Sequence, residues 1–195
     1  SNLNIIPLTV LMYCYEPVKL FTAMALSPSY SAVVKKTESA DHETNKDLAI
    51  IIPCHKSEQF VLRTIRSCLN HVEEQQIFIM DNDKSLKPQD NTAKVIYQNH
   101  PRVNYFFLPK TGNKTIAIFY GAQFARSQYP YSLIIDDDVE LDANFTFNKK
   151  MFLNDPEVKG LVYPLRAMSR YLPGTPMNQL ITTWQDIEYQ LSDLE

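Results

Sequence analysis

The sequence predicts an α/β fold, in which helices cover both faces of a mostly parallel sheet. Two observations predict it. Short apolar segments rich in β-branched residues alternate with longer segments whose apolar residues recur every three or four positions, a rhythm typical of βαβ units. The short segments are apolar at consecutive positions, as expected of strands buried on both sides. With 195 residues and 45% hydrophobic content, the chain is long enough to form a real core.

Four segments are predicted to form the strands of this sheet, at residues 48–53, 77–81, 103–108 and 132–136. Three helices are predicted between them, at residues 57–72, 90–99 and 113–128. In the first helix, Val61, Ile65 and Cys68 are spaced by four and three residues and so share one face. Ser57 stands where a residue would cap that helix. The third helix is predicted to be mostly buried, because most of its residues are apolar.

The residues before the first strand are predicted to be an N-terminal arm and linker, residues 1–46, ahead of one domain at residues 47–195. The apolar stretch Leu3–Tyr15 is shorter than the roughly 20 residues that cross a bilayer. No basic region precedes it, which argues against a signal peptide. We favour a packed arm; the alternative is an interfacial segment that leads from a membrane region. The charged stretch 35–47 is predicted to be a linker or an exposed loop.

The C-terminal part is predicted to contain one strand and one helix. Residues 158–167 are apolar enough for the strand. The helix is predicted from Thr175 to the end of the chain, with Thr175 as N-cap and Pro176 at its first position. Trp184 is interpreted as a packing residue of this helix.

Charge and cysteine usage narrow the class of protein. The chain has 19 basic and 22 acidic residues, a net charge of −3, so it lacks the basic excess of a nucleic-acid-binding surface. Its three cysteines form no CxxC pair, which argues against a zinc site or a disulfide framework and indicates reduced thiols in a cytosolic setting. Cys54, after the first strand, is predicted to be a small buried residue.

Acidic residues follow two of the predicted strands at the points where they end. The segment SLIIDDDVEL places Asp136, Asp137 and Asp138 after the fourth strand, and Asp81 ends the second. Because the carboxyl ends of parallel strands meet at one edge of a sheet, these groups are expected to converge where such sheets bind ligands. Adjacent carboxylates repel one another, and Mg²⁺ or Mn²⁺ would relieve that repulsion. Strand alternation predicts that Asp136 and Asp138 share one side as a D-x-D pair, with Asp137 opposite.

Five segments in order, AIIIPCHKSE, IFIMDNDKS, TGNKTIAIFYGAQFA, LIIDDDVEL and WQDIEYQLS, resemble a family-two glycosyltransferase. The resemblance is closest to the processive, membrane-embedded polysaccharide synthases of the chitin, cellulose and hyaluronan synthase group. It implies a GT-A fold, which is Rossmann-like, and a UDP-sugar donor, a divalent metal (Mn²⁺ or Mg²⁺) and a glycan acceptor. For the full-length protein it implies the cytoplasmic face of a membrane, whereas this chain alone would be soluble or peripheral.

The resemblance also assigns roles to residues. It implies donor binding by Pro53, His55, Asp81, Lys110, Asn113, Lys114 and Asp136. It implies metal binding by Asp136 and Asp138. Asp81 matches the aspartate that contacts the base of the nucleotide. From the residues alone, His55 is equally well interpreted as an ordinary loop residue, whereas Lys110 and Lys114 suit phosphate oxygens.

The sequence departs from the family pattern in two respects. The second strand ends in Asp81-Asn82-Asp83, where the family has Asp-Asp or Asp-Gly-Ser. The catalytic base of the family lies in a later acidic motif, and neither that motif nor the acceptor-side Gln-x-x-Arg-Trp motif occurs before Glu195. The chain is therefore expected to be the donor-binding part of a C-terminally truncated domain, which binds a donor without transferring its sugar.

Two other interpretations stay open at this point. IFIMDNDKS also resembles the nucleophile motif of haloacid-dehalogenase-like phosphatases, in which Asp81 would attack phosphorus. Its place on the second strand and the GNKTIA segment fit the transferase better. The other interpretation is a non-catalytic nucleotide-binding module that keeps the sheet and lacks the base.

Overall fold

A computed structural model of the chain describes residues 42–163, together with residues 165 and 185. Its contacts divide the chain into two compact units, residues 1–145 and 146–195. The predicted N-terminal arm up to residue 41 and, apart from Gln185, the predicted C-terminal helix with Trp184 lie outside the described residues. The proposed boundary between residues 46 and 47 stays a prediction. Within the described part of the chain, no helix is both long and apolar enough to cross a membrane.

The first unit contains a four-stranded parallel sheet with the strand order β3-β2-β1-β4. Its strands are β1 Leu48–Cys54, β2 Ile77–Asn82, β3 Asn104–Leu108 and β4 Tyr131–Ile134. Ile51 of β1 pairs with Phe78 on one side and with Ile134 on the other. The predicted parallel sheet of these four segments is confirmed. Chain order reverses between β1 and β4, and sheets of this kind bind ligands outside the carboxyl ends of the strands at that point.

Three helices connect the strands, α1 Val61–Cys68, α2 Thr92–Asn99 and α3 Lys114–Ala125. The first two follow strands that progress in one direction across the sheet, whereas α3 returns the chain to the opposite edge. Right-handed crossovers therefore place α1 and α2 on one face and α3 on the other. Helices on both faces were predicted, and the α/β fold is confirmed.

The central strands carry the core. Every residue of β1 and β2 is buried. Against one face of these strands, Ala117 and Ala125 of α3 pack with Ile51 and Met80. Gly121 lies on the same side of α3, where a Cβ atom would meet Cγ2 of Ile51 at 2.6 Å. The small residues of α3 thus allow the helix to approach the sheet closely.

The edges of the sheet are less buried than predicted. All of β3 is half-buried, and β4 alternates between half-buried and exposed residues, because among residues 42–163 each of these strands has a neighbouring strand on one side only. The prediction that α3 is mostly buried is wrong. Its apolar residues surround the helix while the sheet covers one side, which leaves four large side chains exposed, namely Ile116, Phe119, Tyr120 and Phe124.

The described part of the predicted linker is ordered against the domain. Residues His42–Asp47 form a 3-10 helix. Asn45 is buried, its side-chain amide donates to the carbonyl of His71 at 3.0 Å, and its own carbonyl accepts from Gln76 at 2.7 Å. The prediction of an exposed loop is therefore wrong for Asn45, since these hydrogen bonds fix it to the turn after α1.

The second unit begins with a short helix that the sequence did not predict, α4 Lys149–Asn154. The rings of Phe147 and Phe152 lie 6.1 Å apart between their centroids. Residues 158–163 form no strand, so the strand predicted at residues 158–167 is absent from its described part.

Candidate functional site

A cleft of about 900 Å³ lies at the carboxyl ends of β1 and β2, bounded by the loop after β3 and the segment after β4. This is the edge at which the sequence predicts a ligand. Of the predicted site residues, five line the cleft, namely Pro53, His55, Lys114, Asp136 and Asp138. Three do not line it, namely Asp81, Lys110 and Asn113. The roles assigned to all eight stay predictions.

His55 is held at the end of β1 by contacts to the end of β2. Its Nδ1 lies 2.8 Å from the carbonyl oxygen of Asn82 and 3.5 Å from Oδ2 of Asp83. Because a carbonyl oxygen only accepts, Nδ1 carries the hydrogen, and Nε2 keeps its lone pair when the ring is neutral. The backbone N–H of His55 donates to Oγ of Ser57 at 3.2 Å. The ring is thus oriented at the mouth of the cleft.

Asp81 lies within β2, paired in register with Cys54, and is almost fully buried. The hydroxyl of Tyr105 donates to Oδ2 of Asp81 at 2.6 Å. Burial raises the pKa of the Asp81 carboxyl above its ordinary value, and the hydrogen bond from Tyr105 opposes this rise. Cys54 is buried as predicted, and burial raises the pKa of its thiol. No sequence pattern indicates the contact between Tyr105 and Asp81, because it joins two different strands.

The loop between β2 and α2 is ordered by two carboxylates that sequence reasoning did not single out. Asp83 accepts from the backbone N–H of Ser85 at 2.8 Å, and this bond lowers the pKa of its carboxyl. Asp90 accepts from the backbone N–H of Thr92 at 3.1 Å and from its hydroxyl at 2.8 Å. It also accepts from the N–H of Glu58 at 3.1 Å. Burial raises the pKa of Asp90, but these hydrogen bonds outweigh it and leave the pKa lowered.

The loop after β3 brings a cation to the acidic segment. Nζ of Lys114, the first residue of α3, lies 2.5 Å from Oδ1 of Asp136. Asn113 caps α3 by accepting from the N–H groups of Thr115 at 2.9 Å and Ile116 at 3.3 Å, so its side-chain oxygen is engaged with the helix. Lys110 is exposed, with a backbone φ of 60°.

Two further lysines that the sequence analysis did not assign, Lys56 and Lys84, line the cleft. Each directly follows a residue at a strand end, His55 or Asp83, and this placement is the signal that could have found them. At Gly112, where φ is +49°, a Cβ atom would meet Cγ of Lys84 at 2.5 Å. Glycine at this position therefore lets the Lys84 side chain pass over the loop.

The acidic segment itself is a turn and not an extended strand. β4 ends at Ile134, and Ile135 makes one more ladder bond, to the carbonyl of Ile51 at 3.1 Å. The alternation that grouped Asp136 with Asp138 therefore does not apply, because it requires a strand. The side chain of Asp137 accepts a hydrogen bond from Oγ of Ser57, and its carbonyl accepts from Oγ1 of Thr64 at 2.7 Å. Asp136 instead faces Lys114.

The described residues contain no group of three or more His, Cys, Asp and Glu side chains that could hold a metal ion. Asp136 and Asp138 line the cleft, as do Asp83 and Asp137, but among the described residues these carboxylates form no preformed protein cage. Magnesium is often bound in this way, by one or two carboxylates together with waters and phosphate oxygens of the substrate. The donor set therefore fits a metal that is shared with a bound phosphate ligand.

Comparison with known proteins identifies the family. The model of glycosyl transferase family 2 matches residues 49–158, which include all four strands except Leu48, the first residue of β1, and every residue that lines the cleft. The chain belongs to glycosyl transferase family 2. Membership of this family argues against the phosphatase interpretation. The burial of Asp81 also argues against a nucleophile at that position.

Among solved structures, this chain is similar to structures of S. aureus TarS. The crystal structure of S. aureus TarS has a TM-score of 0.36 at 14% identity and is matched over 47% of this chain and 16% of that one. The crystal structure of S. aureus TarS 1-349 has a TM-score of 0.35 at 14% identity, and the match covers 55% of this chain and 30% of that one. The structure of S. aureus TarS 1-349 in complex with UDP has a TM-score of 0.34 at 14% identity, and the match covers 47% of this chain and 27% of that one. The chain thus spans less than a third of the length of each. No curated protein matches the chain.

Proposed function

We propose that this chain is the donor-binding part of a glycosyltransferase that uses a UDP-sugar together with Mn²⁺ or Mg²⁺. One observation carries the proposal: in a family 2 chain, the cleft at the reversal of strand order brings Lys114 together with the carboxylates of Asp136 and Asp138. A diphosphate needs both kinds of group, cations for its oxygens and carboxylates for the metal that bridges them.

We assign the nucleoside end of the donor to the part of the cleft at the carboxyl ends of β1 and β2. His55 offers an oriented ring and Pro53 an apolar surface beside it. Asp81 does not itself line the cleft but lies next to Asn82, which does, and we assign the polar contact with the base to its carboxylate. Its hydrogen bond to Tyr105 favours the ionised form, which accepts hydrogen bonds only.

The diphosphate end is assigned to Lys114, with Lys56 and Lys84 at the rim. A bound divalent metal, held by Asp136 and Asp138, would neutralise the charge that develops on the leaving diphosphate. Lys114 would add to that stabilisation from a fixed position at the start of α3. Its contact with Asp136 keeps it beside the metal ligands when no donor is bound.

The remaining assignments rest on the resemblance. They are a glycan acceptor, a polysaccharide product, relation to the processive synthases, and attachment of the full-length protein to the cytoplasmic face of a membrane. The described residues offer no group that we assign as catalytic base, and its expected location beyond Glu195 stays a prediction. Because the family consists of enzymes, we favour sugar transfer by the full-length protein over a non-catalytic module.

A thermal-shift screen tests the proposal. A ligand that binds the native state stabilises it by RT ln(1 + [L]/Kd), about 2.7 kcal/mol at a hundredfold excess over Kd. UDP with Mn²⁺ is expected to raise the unfolding temperature, whereas UMP with Mn²⁺ and UDP with EDTA are expected to raise it much less. ADP and GDP serve as controls for the base. Equal shifts for all three diphosphates would contradict the assignment of UDP, and no shift with any of them would contradict donor binding.

A further inference from the structure

The segment that carries the candidate metal ligands is fastened along one helix. After β4, the carbonyl of Asp137 accepts from Thr64 at 2.7 Å, and the N–H of Leu141 donates to Oγ of Ser67 at 3.0 Å. The carbonyl of Asp142 lies 2.9 Å from Nε2 of His71. These contacts recur at successive turns, so the segment 137–142 runs beside α1 and the turn that follows it.

The contributing side chains lie on α1 and on the turn that follows it. Thr64 and Ser67 are three residues apart, which places them on one side of α1, and His71 lies in the turn. Thr64 is fully buried and Ser67 is buried, although both carry hydroxyl groups. Buried hydroxyl groups need hydrogen-bond partners. The backbone of the segment 137–142 accepts from Thr64 and donates to Ser67, whose own hydroxyl donates to the carbonyl of Thr64 at 2.8 Å.

Ser57 adds a second attachment, to the side chain of Asp137. Its hydroxyl accepts from the N–H of His55 at 3.2 Å and donates to Oδ2 of Asp137. Its backbone N–H donates to Oγ1 of Thr92 at 3.1 Å, and the residue is fully buried. The prediction that Ser57 caps α1 is wrong, because no side chain caps this helix and the hydroxyl of Ser57 instead joins His55, after β1, to Asp137, after β4.

We propose that Ser57 and Thr64 are positioning residues that hold Asp137, and through it Asp136 and Asp138, in the arrangement that binds a metal–diphosphate. The proposal rests on the proposed function. Its physical basis is that the three adjacent carboxylates repel one another and lie in a turn, which has no ladder of hydrogen bonds to fix it. The hydroxyl groups of Ser57 and Thr64 supply that restraint, because they donate hydrogen bonds to the side chain and to the carbonyl of Asp137. Groups that orient metal ligands in this indirect way typically change metal affinity by about 10–100-fold when removed.

Two variants of Thr64 separate positioning from packing. Thr64→Val keeps the shape of the side chain and removes the hydroxyl, whereas Thr64→Ser keeps the hydroxyl and removes a methyl group. We expect Thr64→Val to weaken the binding of UDP with Mn²⁺ by about 10-fold or more, and Thr64→Ser to bind within about 3-fold of the original chain. A residue that served packing alone would show the reverse order. Affinities are measured by calorimetry on the 195-residue chain, and circular dichroism checks that each variant is folded.

Ser57→Ala is expected to weaken binding by a similar factor, while the control Ser132→Ala, on the exposed side of β4, is expected to change nothing. Combining Ser57→Ala with Asp137→Ala is expected to weaken binding by less than the product of the two single effects, because both variants remove the bond between Ser57 and Asp137, and Ser57→Ala removes in addition only the bond from the N–H of His55. Equal affinity of Thr64→Val and Thr64→Ser, with the original chain binding normally, would overturn the positioning role alone. Failure of the original chain to bind UDP with Mn²⁺ would overturn the proposed function and this inference together.

Discussion

The hydroxyl of Tyr105 donates a hydrogen bond of 2.6 Å to the carboxylate of Asp81, which is buried within β2. Burial raises the pKa of Asp81, and the bond from Tyr105 limits that rise by favouring the ionised form. The pKa of the Tyr105 hydroxyl is itself raised, by burial and by Asp81, so it stays a proton donor. The pKa of Asp81, next to the cleft, therefore depends on a hydrogen bond from the neighbouring strand β3.

The raised pKa of Asp81 predicts a pH dependence of stability. Between 3.8, the ordinary value, and the raised value in the folded chain, the folded state binds more protons than the unfolded state. The contribution of Asp81 to the free energy of unfolding is therefore greatest below this window and falls as pH rises through it. Asp81→Asn should remove that dependence. The free energy of unfolding of the variant, measured relative to that of the original chain, should therefore rise as pH rises through the window and stay constant above it.

Tyr105→Phe should widen the same window, because it removes the bond that lowers the pKa of Asp81. Tyr97→Phe, at an exposed position on α2, is the matched control. Urea unfolding at a series of pH values measures both effects. An Asp81→Asn variant whose stability follows that of the original chain at every pH would show that Asp81 titrates normally.

The three adjacent aspartates are expected to differ in their effect on nucleotide binding. Asp136→Asn and Asp138→Asn should abolish Mn²⁺-dependent UDP binding, because each removes a proposed metal ligand. Asp137→Asn should do less, since its amide oxygen still accepts from Ser57. Calorimetric titration with and without Mn²⁺ measures the difference. Equal loss from all three variants, or binding that ignores the metal, would contradict the assignment of ligands.

Lys114→Gln is expected to separate stability from binding. The pair with Asp136 is about half exposed, with side-chain exposures of 57% and 47%, so its loss should change the free energy of unfolding by less than about 1 kcal/mol. UDP binding with Mn²⁺ should weaken, because a cation for the diphosphate is lost, while Mn²⁺ alone should bind no more weakly once Asp136 is released. Lys94→Gln on α2 is the control. Unchanged UDP affinity would remove Lys114 from the donor site.

Gly121→Ala is expected to destabilise the fold even though alanine favours helices. The added Cβ would lie 2.6 Å from Cγ2 of Ile51 and 3.0 Å from Cγ of Met80. Overpacking of this kind costs about 1–3 kcal/mol, which outweighs a gain in helix propensity of up to about 1 kcal/mol. Gly160→Ala, where nothing lies within 4 Å, controls for the substitution. A thermal midpoint for Gly121→Ala at or above that of the original chain would show that α3 can shift away from the sheet.

The sequence alone determined the elements of the core and the edge at which the site lies. Strands β1 and β2 were predicted to within one residue, because a short run of apolar and β-branched residues is by itself typical of a buried strand. Placing carboxylates after strands located the cleft, since the carboxyl ends of parallel strands share one edge. The sequence motifs predicted membership of glycosyltransferase family 2, which the family match confirms, whereas the closer relation to the processive synthases stays a prediction.

Only the tertiary structure decided which polar groups meet. The order β3-β2-β1-β4 leaves the outer strands only partly buried and half of the residues of α3 exposed, which no local sequence pattern indicates. Ser57 reads as a helix cap in the sequence, yet its hydroxyl bonds to Asp137, 80 residues further along the chain. Tyr105 controls Asp81 from a neighbouring strand in the same way. Composition and periodicity fix local conformation and burial, but a hydrogen bond between distant residues depends on strand order and loop path, which exist only once the chain has folded.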